Sequence, residues 1–230
     1  MESNPALILE PGVFNGLNSL WYLNLEPGLS MATLPKSLFV NLPQLWKLLI
    51  QSEQLIKIES GCFKNLPKLW ELHISKTSIE TIVSDQFGQL PSLQSLDITR
   101  SNVQTIGDHA FFGLKDLVYL YLYRNQIETV NSSMFAGLNK LIHLNLENNK
   151  LKMLRNNTFD HLPALQILDV GNNDIHTIDV GTFLPLVNLK WLGLFGNPLF
   201  ANGTRLEDLG IYLSKDVKVC YNFQNFRGAC

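Results

Sequence analysis

The sequence has little charge and almost no cysteine. Of its 230 residues 17% are Asp, Glu, Lys or Arg, and 18 basic residues face 20 acidic ones for a formal net charge of -2. Binding to nucleic acid or an anionic membrane by counterion release needs a basic surplus, so any charge-driven partner must be met by a local patch. No run of about 18 uncharged apolar residues is present, as a membrane-spanning helix requires. Residues 1–10 lack the basic start and continuous apolar core of a secretory leader. Taken at face value, that points to the cytosol. Three cysteines, Cys62, Cys220 and Cys230, are too few for a disulfide scaffold, and their odd number leaves one unpaired in a monomer. The chain also lacks a Gly-rich phosphate loop, C-x-x-C, H-E-x-x-H and G-x-S-x-G, so no enzyme, cofactor or metal site is expected.

Leucine is in excess, at 42 of 230 residues, and such a bias points to an internal repeat. Phenylalanine falls at Phe14, Phe39, Phe63, Phe87, Phe111, Phe135, Phe159 and Phe183, with one interval of 25 residues and then six of 24. A leucine follows each by three residues, from Leu17 to Leu186. Six residues after each Phe the pattern L-x-x-L-x-L opens, as in Leu45, Leu48 and Ile50 or Leu141, Leu144 and Leu146. Its last two apolar positions are two apart, the spacing of a strand with one face inward. One strand per period cannot fold back antiparallel, so successive strands are parallel and the return path forms the opposite wall of a coil.

These residues resemble the leucine-rich repeat family, consensus L-x-x-L-x-L-x-x-N-x-L, in its 24-residue extracellular form with a late Phe-x-x-Leu. The resemblance implies an α/β fold: a right-handed solenoid with a concave parallel sheet and a mostly irregular or short-helical convex side. Residues 1–199 are then a partial first coil plus about eight repeats, and 200–230 a divergent C-terminal cap or tail. The consensus Asn satisfies backbone groups of the turn and the neighbouring coil. Asn125, Asn149, Asn173 and Asn197 hold that position, but Glu53, Thr77 and Ser101 replace it upstream, and Glu26-Pro27-Gly28-Leu29 carries an extra residue. The N-terminal half is therefore expected to be more irregular and to open more easily.

The two ends do not match. Counting back from Phe14 puts Asn4 on the ladder position, so the chain begins inside a repeat without a cysteine-bearing cap. It is expected to be a piece whose leader and cap lie upstream; a degenerate first coil acting as a lid is the alternative. At the other end Gly196-Asn197-Pro198-Leu199 resembles the lead-in to a cysteine-rich cap, but no close cysteine pair follows. Leu206, Leu209, Ile211 and Leu213 fit a short capping helix. Cys220 and Cys230 either pair within the chain, remain free thiols, or bridge to another chain in an oligomer. Cys62, just before Phe63, reads as a semi-buried small hydrophobe. Asn131, Asn156 and Asn202 begin N-x-S/T sequons off the strands, a placement that suits glycosylation.

The outward strand positions are where a solenoid binds. Three tyrosines, Tyr119, Tyr121 and Tyr123, lie side by side in the fifth repeat, and Lys76, Arg100 and Arg124 stack one per strand beside them. Tyr and Arg dominate binding hot spots because they bury large area and still offer polar bonds. Stacked cations repel unless anions sit near; Glu71, Asp97 and Glu147 supply these internally, or an acidic or sulfated group on a partner does. His143 joins the same face. His73 and His143, placed two repeats apart with Tyr121 between, are too distant to share a metal and read as solvated. Ile167, Trp191 and Phe195 form a second cluster too apolar for free solvent. Either the C-terminal tail covers it or Trp191 and Phe195 meet a partner. Trp21, Trp46 and Trp70 form a column that reads as an edge-packing ladder.

The chain is similar to Toll-type receptor ectodomains and secreted insect immune repeat proteins. That resemblance implies a non-catalytic extracellular module, secreted or part of a membrane protein, whose concave face binds a protein ligand or co-receptor. A module taking glycan or lipid directly and an intracellular scaffold are the competing expectations, and nucleic acid is not an expected partner.

Overall fold

The computed structural model describes residues 8–26, 28–88 and 90–221. Nine parallel strands form one sheet in strict chain order: β1 (Tyr22–Leu25), β2 (Lys47–Gln51), β3 (Glu71–Ser75), β4 (Ser95–Thr99), β5 (Tyr119–Tyr121), β6 (His143–Asn145), β7 (Ile167–Asp169), β8 (Trp191–Gly193) and β9 (Lys218–Cys220). The register sets equivalent residues of successive repeats side by side, as in Leu48, Leu72 and Leu96 or Leu120, Leu144 and Leu168. These inward leucines are completely buried. Each contributes on the order of 2 kcal/mol by leaving water, and along one strand the residue between two inward positions, such as Leu49 between Leu48 and Ile50, is left to face out.

The opposite wall of the coil holds the phenylalanines. Phe14, Phe39, Phe63, Phe87 and Phe111 stack in succession, as do Phe135, Phe159 and Phe183, with ring centroids 5.7–6.4 Å apart. The return path carries two-residue strands such as Thr33–Leu34, Lys57–Ile58 and Thr81–Ile82. Helix is limited, among the described residues, to 3-10 turns at Ser132–Phe135, Pro198–Phe200 and Leu206–Leu209. The described residues thus form a β-solenoid of leucine-rich type with almost no helix.

The asparagine ladder has the geometry its chemistry requires. Asn149 Nδ2 donates to the carbonyls of Leu122 and Leu146 at 3.0 and 2.9 Å, and its Oδ1 accepts from Ile127 N at 3.0 Å. Asn125, Asn173 and Asn197 repeat the arrangement. Upstream, Thr77 and Ser101 form a hydroxyl pair at 3.0 Å, and Ser101 Oγ also accepts from Thr77 N. Glu53 does not enter the ladder. It is exposed, and the adjacent buried Ser52 donates to Leu29 O at 2.6 Å instead, because a buried carboxylate offers no donor and would need a compensating charge. The ladder is thus irregular upstream, as expected, but the strands there are not shorter. β2, β3 and β4 run five residues each, against three in β5 to β8.

Beyond the last repeat the expected capping helix is a single 3-10 turn. It buries Leu206, with Ile211 following, and the chain then adds β9 alongside β8. Cys220 at the end of β9 is buried and disulfide-bonded; Cys230 lies outside the described residues. Cys62 is a fully buried free thiol, pushed up to about 12 by burial and then by the nearby Glu59 carboxylate.

Candidate functional site

The outward positions of β2 to β6 make a continuous polar and aromatic belt. It begins with Lys47 Nζ on Glu71 Oε1 at 2.9 Å. Glu71 also pairs with His73 on its own strand, and His73 Nδ1 reaches Asp97 Oδ2 on the next at 3.3 Å. Burial opposes charge on the His73 ring, but the hydrogen bonds and charges of Asp97 and Glu71 outweigh it and hold the imidazolium above the ordinary histidine value. Burial likewise pushes Glu71 up, and Lys47 and His73 overcome it to hold the carboxyl below its usual range. His73 is therefore not a solvated histidine. It lies three strands, not two, from His143, about 14 Å at the usual strand spacing. No group of three or more potential metal-binding side chains occurs among the described residues.

Tyr121 is the Cα partner of Asp97 on one side and of Asn145 on the other. Its ring stacks on Tyr119 at 6.3 Å and meets the His143 ring edge-on at 5.1 Å. Burial, then Tyr119, Asp97 and Tyr123, keep the Tyr121 hydroxyl above its normal value, so it remains a neutral donor. His143 is shifted the other way by burial and stays neutral more readily. Tyr119 is 37% exposed, and Tyr123 and His143 are half-buried. The three tyrosines and His143 thus form one cluster.

Lys76, Arg100 and Arg124 follow the strands as one exposed column. Their backbones are linked repeat to repeat, Lys76 N to Thr99 O, Arg100 N to Tyr123 O and Arg124 N to Glu147 O. None of the three side chains forms an ion pair among the described residues. The carboxylates expected to neutralise them are used elsewhere. Glu71 and Asp97 serve Lys47 and His73. Glu147 Oε1 accepts from the amides of Asn148 and Asn172 at 2.8 and 3.0 Å.

The second cluster lies apart. Trp191 on β8 is three strands from Tyr119, and Phe195 is only 1% exposed, so it is a buried residue and not a contact on the open face. The Phe195 ring lies over Gly171 and the Trp191 ring over Gly193; a Cβ at either glycine would stand 2.5 Å from the covering ring. Asp169 lies 2.6 Å from the Cβ position of Gly193 and is 3% exposed. Burial raises its carboxyl to about 7, against the Gly171 N–H it accepts at 2.9 Å; Glu147 adds to the rise.

Sequence reasoning missed this buried acid, since its position in the repeat reads as outward. It also missed the chain from Lys47 to Asp97, although the aligned columns place those residues on adjacent strands. Trp46 and Trp70 stack at 5.1 Å as expected of a ladder, while Trp21 is 64% exposed beside Tyr22. Asn131, Asn156 and Asn202 are all exposed off the sheet. Asn131 Oδ1 also caps the 3-10 turn at Met134 N.

The chain belongs to the leucine-rich repeat family, whose model matches residues 43–102, 91–151 and 142–199. Proteins of this family are typically non-enzymatic binding modules. No curated protein sequence matches it. Among solved structures it is similar to a chain in the complex described as "Toll - Spatzle", a molecular hub in Drosophila development and innate immunity, with TM-score 0.72 and 22% identity. The match covers 82% of this chain and 26% of that one, so the chain spans about a quarter of its structural relative. No helix among the described residues is long and apolar enough to cross a membrane.

Proposed function

We propose that the chain is an extracellular protein-recognition module whose concave face receives a protein ligand or co-receptor, with Tyr119, Tyr121, Tyr123 and His143 at the centre. The observation that carries this is the partly exposed aromatic cluster beside three cations that have no anionic partner among the described residues. Tyrosine rings on rigid strands lose little freedom on binding, and their hydroxyls still offer polar bonds. An innate-immune or adhesion role is part of this reading, and the likeness to a chain of the Toll–Spatzle complex, described as a hub in innate immunity, supports the immune one. Location outside the cell is supported by the disulfide at Cys220 and the exposed sequons at Asn131, Asn156 and Asn202.

The experiment is affinity capture from extracellular fluid with the parent chain and an Arg100→Glu, Tyr121→Ala double variant. Loss of a protein partner by the variant, with circular dichroism unchanged, supports the assignment. Equal capture by both chains refutes it. N-linked glycan at Asn131 or Asn156 in native material supports the extracellular location.

A further inference from the structure

We propose that Lys76, Arg100 and Arg124 form a rim that takes an acidic segment of the protein partner. This rests on the reading that the concave face binds protein, and it adds the chemistry of what is bound. The backbone supplies evidence independent of charge. All three residues sit in the left-handed region, with φ of 49°, 52° and 56°. The next residues in the same column, Asn148, Asn172 and Gly196, share it with φ of 55°, 50° and 67°. Asn and Gly are the types that adopt this conformation with least strain, whereas Lys and Arg carry the full Cβ penalty. The fold alone therefore favours Asn or Gly at all six positions. Three successive repeats carry cations instead, at a strained site, and the strain points to a use outside the fold.

The surroundings agree. Carboxylates that could satisfy the column are held by Lys47, His73, Asn148 and Asn172. At about 4.8 Å per strand the three positions span roughly 10 Å, the reach of a few residues of polypeptide. Acidic residues three and four apart on a helix are about 5–6 Å apart, close to this spacing. The tyrosines alongside provide the apolar area that such a segment needs besides its charge. A long sulfated glycan would instead gain little from a column this short, because its affinity grows with the number of cations it meets in succession.

The test replaces Lys76, Arg100 and Arg124 together by Asn, which suits the backbone and removes the charge. Binding is read by fluorescence anisotropy with short labelled peptides bearing Glu at every second, third or fourth position between Tyr and Ser. Gln-for-Glu peptides and a heparin oligosaccharide serve as comparisons. The parent chain should bind at least one acidic peptide, more weakly as salt rises, and not its Gln counterpart. The triple variant should lose about tenfold or more of that affinity, with thermal stability equal or higher. An unchanged affinity in a folded variant overturns the proposal, as does failure of every acidic peptide to bind the parent. Tighter binding of heparin than of every peptide assigns the column to a glycan and overturns the protein source. If Tyr121→Ala abolishes capture of the partner and the triple variant does not, the face stands and the rim falls. If neither variant changes capture, the face falls too.

Discussion

Replacing Asp169 by Asn should stabilise the protein at neutral and alkaline pH. The carboxyl is buried between the turn at Gly171 and the ring of Trp191 over Gly193, and forms no ion pair among the described residues. Burial raises it from 3.8 to about 7. At about 1.4 kcal/mol for each tenfold change in proton affinity, ionising it in the folded state costs on the order of 4 kcal/mol. Because the folded-state value is raised, the folded chain holds a proton that the unfolded chain has released between about pH 4 and pH 7. The contribution is most favourable below 3.8 and is lost as pH rises through about 7. Asn keeps an oxygen for the Gly171 N–H and carries no charge. Urea unfolding of parent and Asp169→Asn chains from pH 4 to pH 8 should give curves that nearly coincide at pH 4. They should separate steadily up to pH 7, with the variant about 2–4 kcal/mol more stable at pH 8. A variant less stable at pH 8, or a difference that does not change with pH, refutes the reasoning.

The chain from Lys47 to Asp97 should show an opposing pH signature. His73 is held above its ordinary value and Glu71 below its own, so the His73 contribution is complete below pH 6.5 and the Glu71 contribution above 4.5. The stability lost by His73→Gln, about 1 kcal/mol, should be greatest between those limits and shrink as pH rises through the raised His73 value; melting curves across pH check it. Asn149→Ala strands two carbonyls and one N–H in the core, and should cost about 2–4 kcal/mol by denaturant titration. Cys62, buried and pushed up to about 12, should resist iodoacetamide in the native protein and react only after unfolding.

The spacing of leucine and phenylalanine alone determined the period, the parallel strands, the inward and outward faces and the register of the aligned columns. Alternation along a strand is local, and a 24-residue repeat copies it to each neighbour, so Tyr119, Tyr121 and His143 are legible as surface neighbours without coordinates. Tertiary structure decided how side chains from adjacent repeats compete for one another. Glu71 turns to Lys47 and His73, Glu147 turns to two amides, and the cations at 76, 100 and 124 are left without either. The same lateral packing sets the Phe195 ring over Gly171 and the Trp191 ring over Gly193 beside Asp169, although all lie at nominally outward positions. Ser52 displaces Glu53 from the ladder for a related reason: a hydroxyl can donate where a carboxylate cannot. Periodicity fixes which face a residue lies on, but its exposure and its charge partner depend on the sizes and hydrogen-bonding capacities of neighbours about 24 residues away, which only the assembled coil brings together.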